Sequence, residues 1–212
     1  MLVTALTGGI ATGKSVVSQI FKDLGCFIHK ADEAAHTIML PGGPAYKKIV
    51  DHFGPEILHP DDTIDRQKLG HIVFSHKKEL HFLNSIIHPL ILAEKEESIQ
   101  RVSKDGNHKI FISEAALTIE AGYSDLFDKI IMTFCQGDDQ IRRLMKRDQI
   151  PKKAALQKIQ AQMPLEKKMS YADYLIDTSG TINQTIEQTE RVFRQLLHDY
   201  ELKINARKGE NT

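Results

Sequence analysis

Eight residues near the N-terminus constrain this chain more than any others. Gly8-Gly9-Ile10-Ala11-Thr12-Gly13-Lys14-Ser15 satisfies G-x-x-x-x-G-K-[ST] at every position. The apolar run from Leu2 to Leu6 precedes it as a buried parallel strand would, and Val16, Val17, Ile20, Phe21 and Leu24 follow at the spacing of an amphipathic helix. Strand, glycine-rich turn and helix together make a phosphate cradle. Glycines let the backbone close around an anion, while successive N–H groups and the positive end of the helix point at it. In such a loop Lys14 reaches the β- and γ-phosphates of a nucleotide and the Ser15 hydroxyl sits on Mg²⁺. The candidate phosphate-binding set is Gly8, Gly9, Ile10, Ala11, Thr12, Gly13, Lys14, Ser15 and Val16, with Ser15 as the candidate metal ligand.

Composition makes that anion site local. The 212 residues carry 28 basic and 28 acidic side chains, a formal net charge of zero, so no nucleic-acid or membrane surface is expected. The length suits one core with insertions. No apolar run approaches membrane-spanning length, and no charged leader precedes the first strand. Cys26 and Cys135 lie inside apolar runs, as buried thiols of a reducing compartment would. A cytoplasmic protein is the expectation. None of the ten histidines forms H-E-x-x-H or pairs with a cysteine at zinc spacing, so no transition-metal site is expected.

Along the chain, Gly25 stops the first helix and Cys26 to His29 reads as a second strand. Asp32 follows at the carboxyl edge of that strand, where ligands bind in parallel sheets. Two roles are open to it from position alone: cap of the helix it opens, or a carboxylate on the ligand edge. From Asp32 to about Val102 the pattern is helical, broken at Pro41 to Pro44, Gly54-Pro55 and His59 to Asp62, with a new helix expected near His88-Pro89. Lys109 to Ser113, Lys129 to Phe134 and Tyr174 to Asp177 read as further strands. Gly137 opens a helix that carries Arg143 and Arg147 four apart on one face, either as solvated charge or as a phosphate clamp. Residues 148–168 hold five lysines and few large apolar side chains, the pattern of an exposed, mobile lid. A closing amphipathic helix starts near Ile182, and the polar residues 205–212 read as a frayed tail.

A series of segments goes further than the loop. They are Leu6-Thr7-Gly8-Gly9-Ile10, Ala31-Asp32, His52-Phe53-Gly54, Ile64-Asp65-Arg66 with Leu69 and Phe74, and His88-Pro89. Leu117 with Glu120-Ala121-Gly122, Arg143-Leu144 with Arg147-Asp148, Gln160 to Met163, and Ala172-Asp173 with Ile176-Asp177 and Gly180 continue the order. In that order, from Leu6 to about Leu197, they resemble the dephospho-coenzyme A kinase family.

The resemblance implies an α/β, P-loop nucleoside-monophosphate-kinase-like three-layer fold, with a parallel five-stranded sheet, a helical substrate domain and a lid. The expected division is a nucleotide-binding core of 1–31, 104–147 and 170–204, a helical domain for the CoA substrate over 32–103, and a lid over 148–169. It also implies a phosphotransferase with an alcohol acceptor: ATP with Mg²⁺ phosphorylates the ribose 3′-hydroxyl of dephospho-CoA, the final step of coenzyme A synthesis. Asp32 matches the family's catalytic carboxylate, and Lys14 and Arg147 would offset charge on the transferred group, with Arg143 beside the phosphates. No nucleic-acid or membrane partner is implied, and the expected state is a monomer or small homo-oligomer. The alternatives are another small-molecule P-loop kinase and a nucleotide-binding homologue impaired in catalysis. The second draws on departures from the family pattern: Lys30 where many members have Asp, Lys158 where Arg is common, and Thr178 where Asn is frequent. Ala11 and Val16 replace the usual Gly and Thr, and Glu114 offers an outer-shell partner for Mg²⁺.

Overall fold

The computed structural model describes residues 1–209. Its strands are β1 (Leu2–Gly8), β2 (Phe27–Lys30), β3 (Ile110–Glu114), β4 (Lys129–Phe134) and β5 (Tyr174–Asp177). Its helices are α1 (Lys14–Asp23), α2 (Ala31–Ile38), α3 (Tyr46–Phe53), α4 (Arg66–Ser75), α5 (Lys77–Asp105), α6 (Gly137–Asp148), α7 (Lys152–Gln160), α8 (Leu165–Met169) and α9 (Ile182–Gly209). The strands form one parallel sheet in the order β2-β3-β1-β4-β5. β4 and β5 take the bounds their apolar runs predict, while β2 and β3 lie one residue further along.

Two compact units make up the chain: residues 1–29 with 101–212, and residues 30–100. In the first, β1 is the central strand, with Leu6 opposite Glu114 on β3 and Gly8 opposite Thr133 on β4. All five β3 residues are buried, as expected of a strand flanked on both edges in a parallel sheet. Val17 and Phe21 of α1 and Val192 and Leu196 of α9 bury with Leu2, Leu6, Ile110, Ile112, Ile131 and Ile176 in one cluster. Each such side chain contributes about 1.5–3 kcal/mol by leaving water. α1 stops where Gly25 turns left-handed at φ 93°, its N–H returning to the Lys22 carbonyl and that of Cys26 to the Phe21 carbonyl, each at 3.0 Å. α9 runs through Gly209, so residues 205–209 are helical where fraying was expected. The rest of that expected tail, 210–212, lies outside the described residues.

The second unit holds α2, α3, α4 and most of α5 around Ile38, Ile49, Phe53, Ile57, Leu69, Val73, Leu83 and Ile87. Its bounds, 30–100, compare with the 32–103 expected for the helical domain. Asp65 is the cap of α4: its carboxylate accepts the N–H groups of Lys68 at 3.1 Å and Gln67 at 2.9 Å, bonds that hold its pKa below the usual carboxylate range.

Two expectations need correction. No helix begins at His88-Pro89; α5 passes through Pro89 unbroken. Proline removes the bond to the Ser85 carbonyl, but Leu83 and Ile87 before it and Leu90 and Ile91 after it pack into the same apolar cluster. Tertiary packing outweighs the local penalty. The segment expected to form a lid, 148–169, is also less exposed at two positions than its lysines suggested. Ala155 and Lys168 are both 0% exposed, and Lys168 is neutralised from within by Glu120 at 2.6 Å.

Candidate active site

The loop after β1 is built from unusual backbone, and its neighbours explain why. A Cβ on Gly8 would lie 2.3 Å from the Thr133 hydroxyl and 2.6 Å from the Thr133 carbonyl, so the register with β4 admits only glycine there. Ala11 sits at φ 60° and Gly13 at φ 82°, both left-handed. Gly13 is the N-cap of α1, and no side chain caps that helix end. The first N–H groups of α1 thus remain for an external acceptor at the positive end of the helix.

Side chains from distant elements hold this shape. The Thr12 hydroxyl donates to the Gly9 carbonyl at 2.8 Å and lies 2.9 Å from the Thr133 hydroxyl. Thr178, just beyond β5, places its hydroxyl 2.9 Å from the Thr12 carbonyl and 3.1 Å from the Phe134 carbonyl. The Arg143 guanidinium donates to that same hydroxyl at 3.0 Å and to the Thr178 carbonyl at 2.6 Å. Arg143 is therefore tied to the loop through Thr178. Gln140 of α6 donates to the Ile10 carbonyl at 2.9 Å, and the Ile10 N–H donates to the side-chain oxygen of Gln162 at 2.8 Å.

At the mouth of the loop, Lys14 Nζ lies 3.2 Å from Glu114 Oε1 at the end of β3, and the Ser15 hydroxyl lies 3.5 Å from the same oxygen. Both partners of the Lys14–Glu114 pair are largely enclosed, with side chains 14% and 9% exposed. Low solvent access strengthens their attraction and keeps the ammonium beside the loop. Serine hydroxyl and carboxylate are hard oxygen donors, the chemistry Mg²⁺ selects, and Mg²⁺ takes one or two protein oxygens with phosphate and water supplying the rest. Ser15 and Glu114 fit that ion. Among the described residues no group of three or more His, Cys, Asp or Glu side chains is assembled for a metal.

Arg147 is placed differently. Its Nε donates to Asp148 at 2.8 Å, and Lys158 donates to the other oxygen of that carboxylate at 2.6 Å. The bonds from Arg147 and then Lys158 hold the Asp148 pKa down at about 2. A carboxyl whose folded pKa is depressed adds stability above its unfolded value, near 3.8, and loses it as pH falls toward 2. Asp148→Asn is therefore expected to lower the melting temperature slightly at neutral pH, with the difference from wild type vanishing on acidification. A difference that grows as pH falls would contradict this. Asp32 lies in the first turn of α2 in the second unit and is exposed. The cap position of α2 is Lys30, and no side chain caps that helix, so capping does not occupy Asp32. Lys30 itself bridges to Glu33 at 2.7 Å.

A family model for dephospho-CoA kinase matches residues 2–184. The chain belongs to the dephospho-CoA kinase family. The dephospho-CoA kinase of Carboxydothermus hydrogenoformans is 45% identical over 186 residues, covering 88% of this chain and 90% of that one. The Geobacillus kaustophilus member is 40% identical over 198 residues, with 92% and 96% covered. Among solved structures, the dephospho-CoA kinase from Campylobacter jejuni matches at a TM-score of 0.67 and 29% identity, over 92% of this chain and 96% of that one. A Thermus thermophilus protein matches at a TM-score of 0.81 and 22% identity, over 92% and 97%, which bears on the fold alone.

Position in sequence did not single out Thr133, Gln140 or Gln162 as supports of the loop. Thr178 counted only as a departure from the family's Asn, whereas its hydroxyl is a buried clip on the loop. The contacts of Thr12 with Thr133 and Thr178 span 121 and 166 residues, so no local pattern encodes them.

Proposed function

We propose that this protein transfers the γ-phosphoryl group of ATP to the ribose 3′-hydroxyl of dephospho-CoA, giving ADP and coenzyme A. The observation that carries the reading is the enclosed Lys14–Glu114 pair with Ser15 at the mouth of an intact phosphate loop, in a member of this family. The loop's free helix end and Lys14 bind the β- and γ-phosphates and offset the charge that gathers on the transferred group. Ser15, with Glu114 behind it, would hold Mg²⁺, which neutralises phosphate charge when bound.

Asp32 takes the proton of the 3′-hydroxyl as that oxygen attacks phosphorus, while the bond from the γ-phosphorus to the bridging oxygen breaks and ADP leaves. Arg147, an exposed side chain sharing Asp148 with Lys158, is the second cation for the transferred group, and Arg143 supports the phosphates from the loop side. α7 and α8 form the lid. Among the described residues no helix is long and apolar enough to cross a membrane, and both cysteines are buried free thiols, which supports a cytoplasmic setting. The assembly is a monomer or small homo-oligomer.

Purified protein given ATP, Mg²⁺ and dephospho-CoA is expected to release ADP in proportion to acceptor, with little release when AMP or adenosine replaces it. Equal rates with AMP would point to a nucleotide kinase. ATP binding without turnover of any acceptor would remove the enzymatic reading.

A further inference from the structure

Ile10 is gripped on both sides by side-chain amides. Its carbonyl accepts from Gln140 on α6, which is buried, and its N–H donates to Gln162 in the segment joining α7 to α8. The next residue, Ala11, has φ 60°, a left-handed conformation disfavoured for any residue with a Cβ and kept only where surroundings enforce it. Gln162 is fixed in turn by its own neighbours. The N–H of Met163 donates to Glu120 Oε1 at 3.3 Å, and Lys168 pairs with the same oxygen at 2.6 Å. Lys168 also donates to the Ala116 carbonyl at 3.1 Å, which accepts the Thr7 hydroxyl of β1 at 3.3 Å. A chain of polar contacts therefore leads from β1 through a fully buried lysine to the lid segment and back to the loop that follows β1.

We propose that Gln162 is a positioning residue for the phosphate loop. It holds Ile10 so that Ala11 keeps the left-handed turn needed for the loop to close on ATP, and the Lys168–Glu120 pair fixes the segment that presents it. The identity of the loop's ligand rests on the kinase reading above; the role of Gln162 rests on the geometry.

The test compares ATP affinity by calorimetry in wild type, Gln162→Met, Ala11→Gly and the double variant. Methionine keeps the length of glutamine and removes the acceptor for Ile10, so ATP is expected to bind about fivefold more weakly, the loss of one neutral hydrogen bond. Glycine at 11 relieves the strain that Gln162 restrains. Ala11→Gly is therefore expected to gain more affinity in the Gln162→Met background than in wild type, recovering most of the loss. In turnover, KM for ATP rises in Gln162→Met while KM for dephospho-CoA holds. Unchanged ATP affinity, absence of rescue by glycine, or an equal rise in both KM values would overturn the proposal. Should Gln162→Met not fold, amide exchange in the wild-type protein decides: the Ile10 N–H is expected to be protected, and exchange at the rate of an open loop amide would overturn it. If wild type binds ATP but phosphorylates no dephospho-CoA, the kinase reading fails, and the affinity series still decides the role of Gln162.

Discussion

Asp32→Asn is expected to lower kcat by about 10²–10⁴-fold, the usual contribution of a positioned general base, while the dissociation constant for ATP stays within about twofold of wild type. Asparagine has nearly the same volume and keeps an acceptor oxygen, so the substitution removes charge and basicity with little change in shape. Asp32 is exposed and caps no helix, so its replacement leaves neither a buried orphan group nor an open helix end. The melting temperature should therefore hold, and the loss should fall on the chemical step. In phosphoryl transfer most of the acceleration comes from alignment and charge neutralisation, which the proposed mechanism gives to the loop and Lys14, so residual turnover is expected. Steady-state kinetics with saturating ATP and dephospho-CoA measures the change. A variant with wild-type kcat would remove Asp32 from the mechanism.

Lys168→Met is expected to have the largest effect on stability. The lysine side chain is 0% exposed and Glu120 is 20% exposed, so the pair sits where water screens it little. Glu120 Oε2 has no hydrogen-bond partner among the described residues, which leaves Lys168 and the Met163 N–H to compensate the carboxylate through its other oxygen. Removing the ammonium strands a largely enclosed charge and leaves the Ala116 carbonyl with the Thr7 hydroxyl as its donor. Breaking one partner of a buried pair costs about 3–5 kcal/mol, and the partial exposure of Glu120 favours the lower end. At about 2–4 °C per kcal/mol for a chain of this size, the melting temperature should drop by roughly 6–12 °C. The double variant Lys168→Met with Glu120→Gln removes both charges and keeps an acceptor for the Met163 N–H, so it should regain much of the loss. A drop under about 2 °C for Lys168→Met, or a further fall in the double variant, would contradict a buried pair of this kind.

The two largest effects differ in how far they were readable beforehand. Asp32 stands out in sequence because it lies at the exit of a short strand and sits in a family motif. Lys168 does not, because it is the last of five lysines in a polar segment and composition placed all five in solvent. Its burial depends on Glu120, 48 positions away, and on the Ala116 carbonyl, 52 positions away. Pro89 teaches the reverse lesson. A strong local signal for a helix start was overridden because apolar residues on both sides of it bury in one cluster. Strands β4 and β5 were legible to the residue, since each is a compact apolar run between polar breakers.

The strand–loop–helix phosphate cradle, the five strands and the family are written in the order of residues along the chain, because periodicity, glycine positions and motif order can be read without any fold. How the cradle is held depends on the folded arrangement: Gly8 against Thr133, Thr12 under Thr178, which Arg143 holds in turn, and Ile10 between Gln140 and Gln162. Those are single hydrogen bonds and close approaches between residues far apart in the chain. Their partners are common polar residues with no distinguishing pattern, and geometry arises only once the sheet order has brought β1, β4 and β5 side by side.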